Sequence, residues 1–206
     1  RFLRQRMWPL SSRLAIVHRR TLVRSTRIVA IVGSLGKTSA RRATAAALGL
    51  PPHVQPFNSG TAVAEAVLAV GRRQPHAVIE VGISARGHMR RYGEVLRPDV
   101  VVVTSIGSEH HRSLGTLDVT RDEKAWMLRA LRPGGVAVLN GDDPNVMWMA
   151  GETNARVVTY GFGAACDVRS DRRTTPFGVA VDRWSIAIVI VIARGRSLRA
   201  RRPPRE

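Results

Sequence analysis

The chain is short of three things, and each shortage excludes something. Cysteine occurs once, at Cys166, so no disulfide can form within the chain, and a reducing cytoplasm is the expected setting. No apolar stretch reaches the length of a membrane span; the longest, at 184–193, is rich in Ile and Val and reads as a buried strand. Lysine is the third. Of 33 basic residues only Lys37 and Lys124 are lysines, and the rest are arginines. Arginine is a wide planar fork that keeps its proton, whereas lysine is a compact charge whose amine can react. A chain that uses arginine almost everywhere is expected to keep lysine where arginine would not serve.

The formal net charge is +18, and the arginines crowd the two ends. Such a balance attracts nucleic acid, anionic membrane or acidic substrates. There is no zinc-finger spacing and no aromatic motif of the RRM type, so nucleic acid is not the expected partner. Residues 1–25 read as a basic arm, a broken amphipathic segment around Pro9, solvated or in peripheral contact with a membrane surface. Pro9 and the arginines also interrupt any signal-peptide core. Residues 194–206, almost wholly Arg, Gly, Ser and Pro, read as a disordered tail.

Between these ends, at 26–193, apolar runs alternate with helical patterns. Strands are expected at 27–32, 76–81, 99–104, 136–140 and 156–160. Helices are expected after 37, over 61–73, 87–96, 122–131 and 143–150. From Cys166 onward the alternation gives way to short strands and polar turns. The expected fold is α/β: a P-loop-containing three-layer sandwich with a mostly parallel sheet and a short β-rich C-terminal extension. In such sheets ligands bind at the carboxyl ends of the strands.

The first expected strand runs into Gly33-Ser-Leu-Gly-Lys-Thr-Ser39 and then a helix. Strand, glycine turn and Gly-Lys-Thr at a helix start make an anion cradle, with backbone N–H groups facing phosphate. Gly33, Ser34, Leu35, Gly36, Lys37, Thr38 and Ser39 are therefore candidate ATP-binding residues. Lys37 would reach the β/γ-phosphates, and the Thr38 hydroxyl would meet Mg²⁺. Two residues separate the glycines, where the general P-loop pattern has four.

This loop resembles the Gly-Thr-Asn-Gly-Lys-Thr element of the Mur ligases, folylpolyglutamate synthases and cyanophycin synthetases. The resemblance continues in order over 27–165. Asn58-Ser-Gly60, Ile79-Glu-Val-Gly82 with Ser84-Ala-Arg-Gly87, Arg97-Pro-Asp99 leading to Ser105-Ile-Gly107 and His110, Asp122-Glu-Lys124, and Leu139-Asn-Gly-Asp-Asp-Pro144 each resemble a family element. The likeness is greatest to the family's D-alanyl-D-alanine-adding branch.

The resemblance implies an ATP-dependent carboxylate–amine ligase, or the ATPase core of one, acting through an acyl-phosphate in cell-wall peptide or related polymer synthesis. It implies nucleotide and a carboxylate substrate as ligands, with Asn58 among the nucleotide contacts. Thr38 and Glu80 would hold one Mg²⁺. His110, Glu80 and a carbamylated Lys124 would hold a second. Lys37, Lys124, Glu80 and His110 are the implied catalytic set.

Read singly, Glu80 is a strand-end carboxylate, His110 a loop histidine beside His111, and Lys124 a solvated helix lysine. Asn140, Asp142 and Asp143 read as turn-forming and helix-capping residues. The sequence departs from the family at Ser105, which replaces an asparagine, and at His111, which replaces an apolar residue. The family's first and third domains have no counterpart in these residues, so a separate C-terminal domain is an expected partner. The alternative reading is a non-catalytic or partner-dependent nucleotide-binding module.

Overall fold

The computed structural model describes residues 2–51, 60–83, 85–107 and 115–169. Its elements, in chain order, are α1 (Phe2–Thr21), β1 (Arg27–Val32), α2 (Lys37–Ala47), α3 (Thr61–Leu68), β2 (His76–Glu80), α4 (His88–Leu96), β3 (Val100–Val103), α5 (Leu117–Arg129), β4 (Val136–Asn140), α6 (Pro144–Trp148), a 3₁₀ turn (Met149–Glu152), β5 (Arg156–Gly161) and β6 (Val168–Arg169). The fold is the expected α/β arrangement. The strands form one sheet in the order β2-β1-β3-β4-β5-β6, and every described pairing is parallel.

The all-apolar strands explain themselves, because each side of the sheet is buried. Alternate residues of β1 and β3 serve opposite faces. Ile28, Ala30, Val32, Val101 and Val103 join one core cluster with residues of α1, α3, α4, α5 and α6. Val29, Ile31, Val100 and Val102 join the other, where Ala40 and Leu48 at α2 pack against them. The two layers of helices are therefore unequal, and α2 is the helix that crosses the second face.

The first helix departs from the sequence reading. It is continuous through Pro9 rather than broken there. Pro9 is exposed. Ala15 and Arg19 of that helix are buried, and Trp8 meets the Tyr92 ring edge-on at a centroid distance of 5.4 Å. The inner face of α1 thus belongs to the main core. Helix α5 starts at Leu117, five residues before the expected start, because Thr116 caps it: the Thr116 hydroxyl accepts from the Val119 N–H. The expected helix at 143–150 divides into α6 and the 3₁₀ turn. Of the β-rich extension only β6 falls within the described residues, and the strand expected at 184–193 lies outside them, as does the tail at 194–206.

Candidate active site

Sequential parallel strands bring their carboxyl ends together, so the segments after β1, β2, β3 and β4 converge at one edge of the sheet. The phosphate loop follows β1. Its backbone requires glycine at two points. Gly33 has φ 148°, and a Cβ there would lie 2.0 Å from Thr104 Oγ1. Gly36 has φ 79° and caps α2 without any side-chain hydrogen bond. The first turn of α2 contains no acidic residue either. A helix start of this kind presents N–H groups to an anion.

The loop is tied to the segment after β3. The Ser34 N–H donates to the Ser105 carbonyl at 2.7 Å, and the Leu35 N–H to Ser105 Oγ at 2.9 Å. The Thr104 hydroxyl donates to the Leu35 carbonyl at 2.6 Å. Serine at 105, where the family has asparagine, thus keeps a polar tether to the loop. The tip of the turn, Leu35, is 71% exposed.

The remaining loop residues divide by role. Lys37 Nζ donates to the Ser34 carbonyl at 2.5 Å, which holds the ammonium over the loop. The Thr38 hydroxyl donates to Glu80 Oε2 at 2.9 Å. Glu80 ends β2 and is buried, so its carboxylate is not an ordinary strand-end surface group. Arg41, one turn along α2, is also buried and places Nε 3.7 Å from the same Glu80 oxygen.

Lys124 overturns its plain reading as a solvated helix lysine. It is 1% exposed, and its Nζ donates to Ser34 Oγ at 2.8 Å, 90 residues away in sequence. That hydroxyl also accepts from the Gly107 N–H and donates to the Gly107 carbonyl. Ser34 therefore joins the phosphate loop, the segment after β3 and the lysine of α5 at one atom.

The implied residues Lys37, Thr38, Glu80 and Lys124 are thereby gathered around one loop. His110 and Asn58 lie outside the described residues, as does Ser84. Among the described residues no group of three or more His, Cys, Asp or Glu side chains surrounds a common point. Asp143 is the N-cap of α6, accepting from the Asn145 and Val146 N–H groups, and also accepts from Ile106 N–H. Asn140 holds the Thr104 carbonyl, and Asp142 receives the Phe162 and Gly163 N–H groups. These three residues shape turns, as the sequence suggested.

Two residues escaped the sequence reading. Arg41 is one arginine among many, with nothing local to separate it. Glu123 precedes Lys124, yet its carboxylate accepts from the Gly87 and Met89 N–H groups and so caps α4 from another helix. The only signal for that was the lack of any side-chain cap of α4's own at Gly87.

Residues 30–190 match the Mur ligase middle domain. The chain belongs to that family. It is 30% identical over 146 residues to the UDP-N-acetylmuramoyl-tripeptide–D-alanyl-D-alanine ligase of Bacillus subtilis (strain 168), covering 69% of this chain and 31% of the relative. Among solved structures it resembles MurF from Acinetobacter baumannii, with a TM-score of 0.78, 21% identity, 91% of this chain covered and 47% of that one. It also resembles the MurF ligase from Thermotoga maritima in complex with ADP, with a TM-score of 0.76, 18% identity, 94% of this chain covered and 50% of that one. The chain thus spans about a third of the curated relative and about half of these structures.

Proposed function

We propose that this chain is the ATP-binding core of an ATP-dependent ligase that joins a carboxylate to an amine, in cell-wall peptide synthesis or a related polymerisation. The observation that carries the reading is the convergence of Lys37, the Thr38–Glu80 pair and buried Lys124 on a single phosphate loop. Membership of the Mur ligase family and the ADP-bound relative support it. So does a sheet edge built as nucleotide sites of α/β proteins are built.

The residues fit Mg²⁺. A threonine hydroxyl and a buried carboxylate, 2.9 Å apart at a helix start, are hard oxygen donors. Mg²⁺ takes few protein ligands and completes its shell with phosphate and water, so a sparse donor set suits it. Bound there, it would neutralise charge on the transferring phosphoryl group. Thr38 and Glu80 would hold that ion, and Glu80 with Lys124 and His110 a second. A lysine amine fits the latter role only when carbamylated, since a bare ammonium would repel the cation.

The chain's own groups then do the following. Lys37 leaves the Ser34 carbonyl for the β/γ-phosphates, and the α2 amides face the same oxygens. The substrate carboxylate attacks the γ-phosphorus, ADP departs, and an acyl-phosphate results. The amine then attacks the acyl carbon and inorganic phosphate leaves. Surfaces that bring the carboxylate and amine into line are expected on further domains of the whole protein, in the same or a partner chain. ATP supply makes the cytoplasm the setting of this reaction.

The experiment is calorimetry with Mg-ATP on the 206-residue chain. Lys37→Ala is expected to weaken binding sharply and, in the assembled ligase, to cost about 3 kcal/mol in rate. Equal ATP affinity of the two proteins sinks the proposal.

A further inference from the structure

The outer face of α1 is apolar. Met7 is 52% exposed, Leu10 54%, Leu14 52% and Val17 59%. At helical spacing these four lie on one stripe, opposite buried Ala15 and Arg19. They account for half of the large hydrophobic residues exposed among the described ones. Single exposed apolar residues are ordinary, but a continuous stripe of this kind marks a contact surface.

The surroundings of the stripe select its occupant. Arg13, Arg20 and Arg24 are exposed along and just beyond the same helix. No acidic residue precedes Glu65 in the chain. Past Val17, Arg20 also lines a cleft of about 290 Å³ with Arg90, Arg97, Arg129 and Trp126. Arg90 is paired with Glu94 and Arg129 with Glu152. Both of those guanidinium groups also lie over the Trp126 ring, at 5.3 and 4.6 Å from its centroid. Arg20 and Arg97 have no acidic partner among the described residues. The cleft lies where α4 ends and β3 begins, at the opposite end of the sheet from the phosphate loop.

We infer that this face docks on an anionic bilayer, with α1 lying in the lipid interface and the arginines meeting lipid phosphates. An apolar stripe flanked by arginines, on a helix that carries no acidic residue of its own, is the pattern of a helix that lies on a membrane. No helix among the described residues is long and apolar enough to cross one, so α1 lies on the surface. The alternatives fit less well. Nucleic acid would match the arginines and leave the stripe in water. A second copy would match the stripe and set two strongly positive surfaces against each other. An acidic bilayer matches both features at once. The inference is independent of the ligase reading.

The test is co-sedimentation of the 206-residue chain with vesicles of phosphatidylcholine alone and of phosphatidylcholine with phosphatidylglycerol. The chain is expected to bind the acidic vesicles, and added salt should weaken binding. Leu10→Ser with Leu14→Ser should lower partitioning by roughly tenfold or more, since two half-exposed leucines lose their apolar contact. Arg13→Gln with Arg20→Gln should also lower it roughly tenfold. All four side chains are exposed enough for both variants to keep the parent melting temperature, which is checked first.

Equal binding to neutral and acidic vesicles overturns the proposal. Acidic-vesicle binding that survives the leucine changes overturns the placement of α1 in the interface. Failure to bind either vesicle, with self-association lost on the leucine changes, assigns the stripe to a protein contact instead.

Discussion

Two buried cations lie at opposite ends of the sheet. Arg19 is 2% exposed and Lys124 is 1% exposed, yet they are embedded differently. Arg19 donates to the carbonyls of Val23, Thr26, Leu96 and Arg97 and to the Asp99 carboxylate. Burial lowers its pKa, and Asp99 pushes it back up. Its partners are the fixed backbone of two segments, the turn after α1 and the end of α4, and Asp99 is held in turn by Arg132 and the Ile28 N–H. Lys124 instead donates to the hydroxyl of Ser34, in the loop that nucleotide would occupy. A guanidinium saturated by carbonyls acts as a rivet. Under the proposed function, an amine placed against this loop serves the chemistry, and the scarcity of lysine in this chain then has that physical meaning at Lys124.

The largest effect is expected at Arg19. Arg19→Met removes a buried cation and strands Asp99 and four carbonyls. Losing one partner of a buried pair costs about 3–5 kcal/mol. Arg132 still faces Asp99, so the lower part of that range is expected. Guanidinium denaturation measures it, and the protein that remains folded should bind Mg-ATP as before. A variant of full stability with impaired ATP binding would reverse the two roles.

The next largest effect is expected at Lys124. A solvated lysine would tolerate arginine, but a residue this buried resists it on volume alone. Lys124→Ala is the cleaner probe. In the assembled ligase it should lose on the order of 100-fold in rate, and a short carboxylate such as formate should restore part of the loss. Rescue is the decisive readout, because a lysine that merely packs would gain nothing from a carboxylate. Loss without rescue, accompanied by a lower melting temperature, would make Lys124 a second rivet.

These residues also show how far sequence reasoning reached. The parallel sheet was legible because runs such as Val100–Val103 have no polar side, which a two-faced buried strand requires. The phosphate loop was legible because its glycines and its lysine lie within seven residues. Glu80 and Lys124 were legible only through ordered resemblance to a family, since neither is unusual alone. The junction at Ser34 Oγ, the Glu123 cap on α4 and the Arg41–Glu80 approach join residues 34 or more positions apart. Nothing local encodes such pairings. The packing of α1 was hidden for a related reason: its inner and outer faces are both apolar, so no single face is marked for burial.

Arg41 is an arginine at the lysine's end of the sheet. Its Nε lies 3.7 Å from Glu80 Oε2, the oxygen that also accepts from Thr38. If Arg41 resembles Arg19, it is structural, and Arg41→Met should cost stability while leaving metal binding alone. The geometry favours the other outcome. A fixed positive charge beside Glu80 competes with any divalent cation there, so the metal should bind well only together with the negative phosphates. Two charges a few ångströms apart interact by several kcal/mol at an effective dielectric near 20, and solvent and relaxation reduce this. Removing the guanidinium should therefore tighten binding of Mn²⁺, used in place of Mg²⁺, by about tenfold in the absence of nucleotide. Electron paramagnetic resonance of free Mn²⁺ measures that without any turnover. In the presence of ATP the difference should shrink, because the phosphates dominate the local charge. Unchanged Mn²⁺ affinity together with a large loss of stability would place Arg41 with Arg19, as packing rather than as part of the metal site.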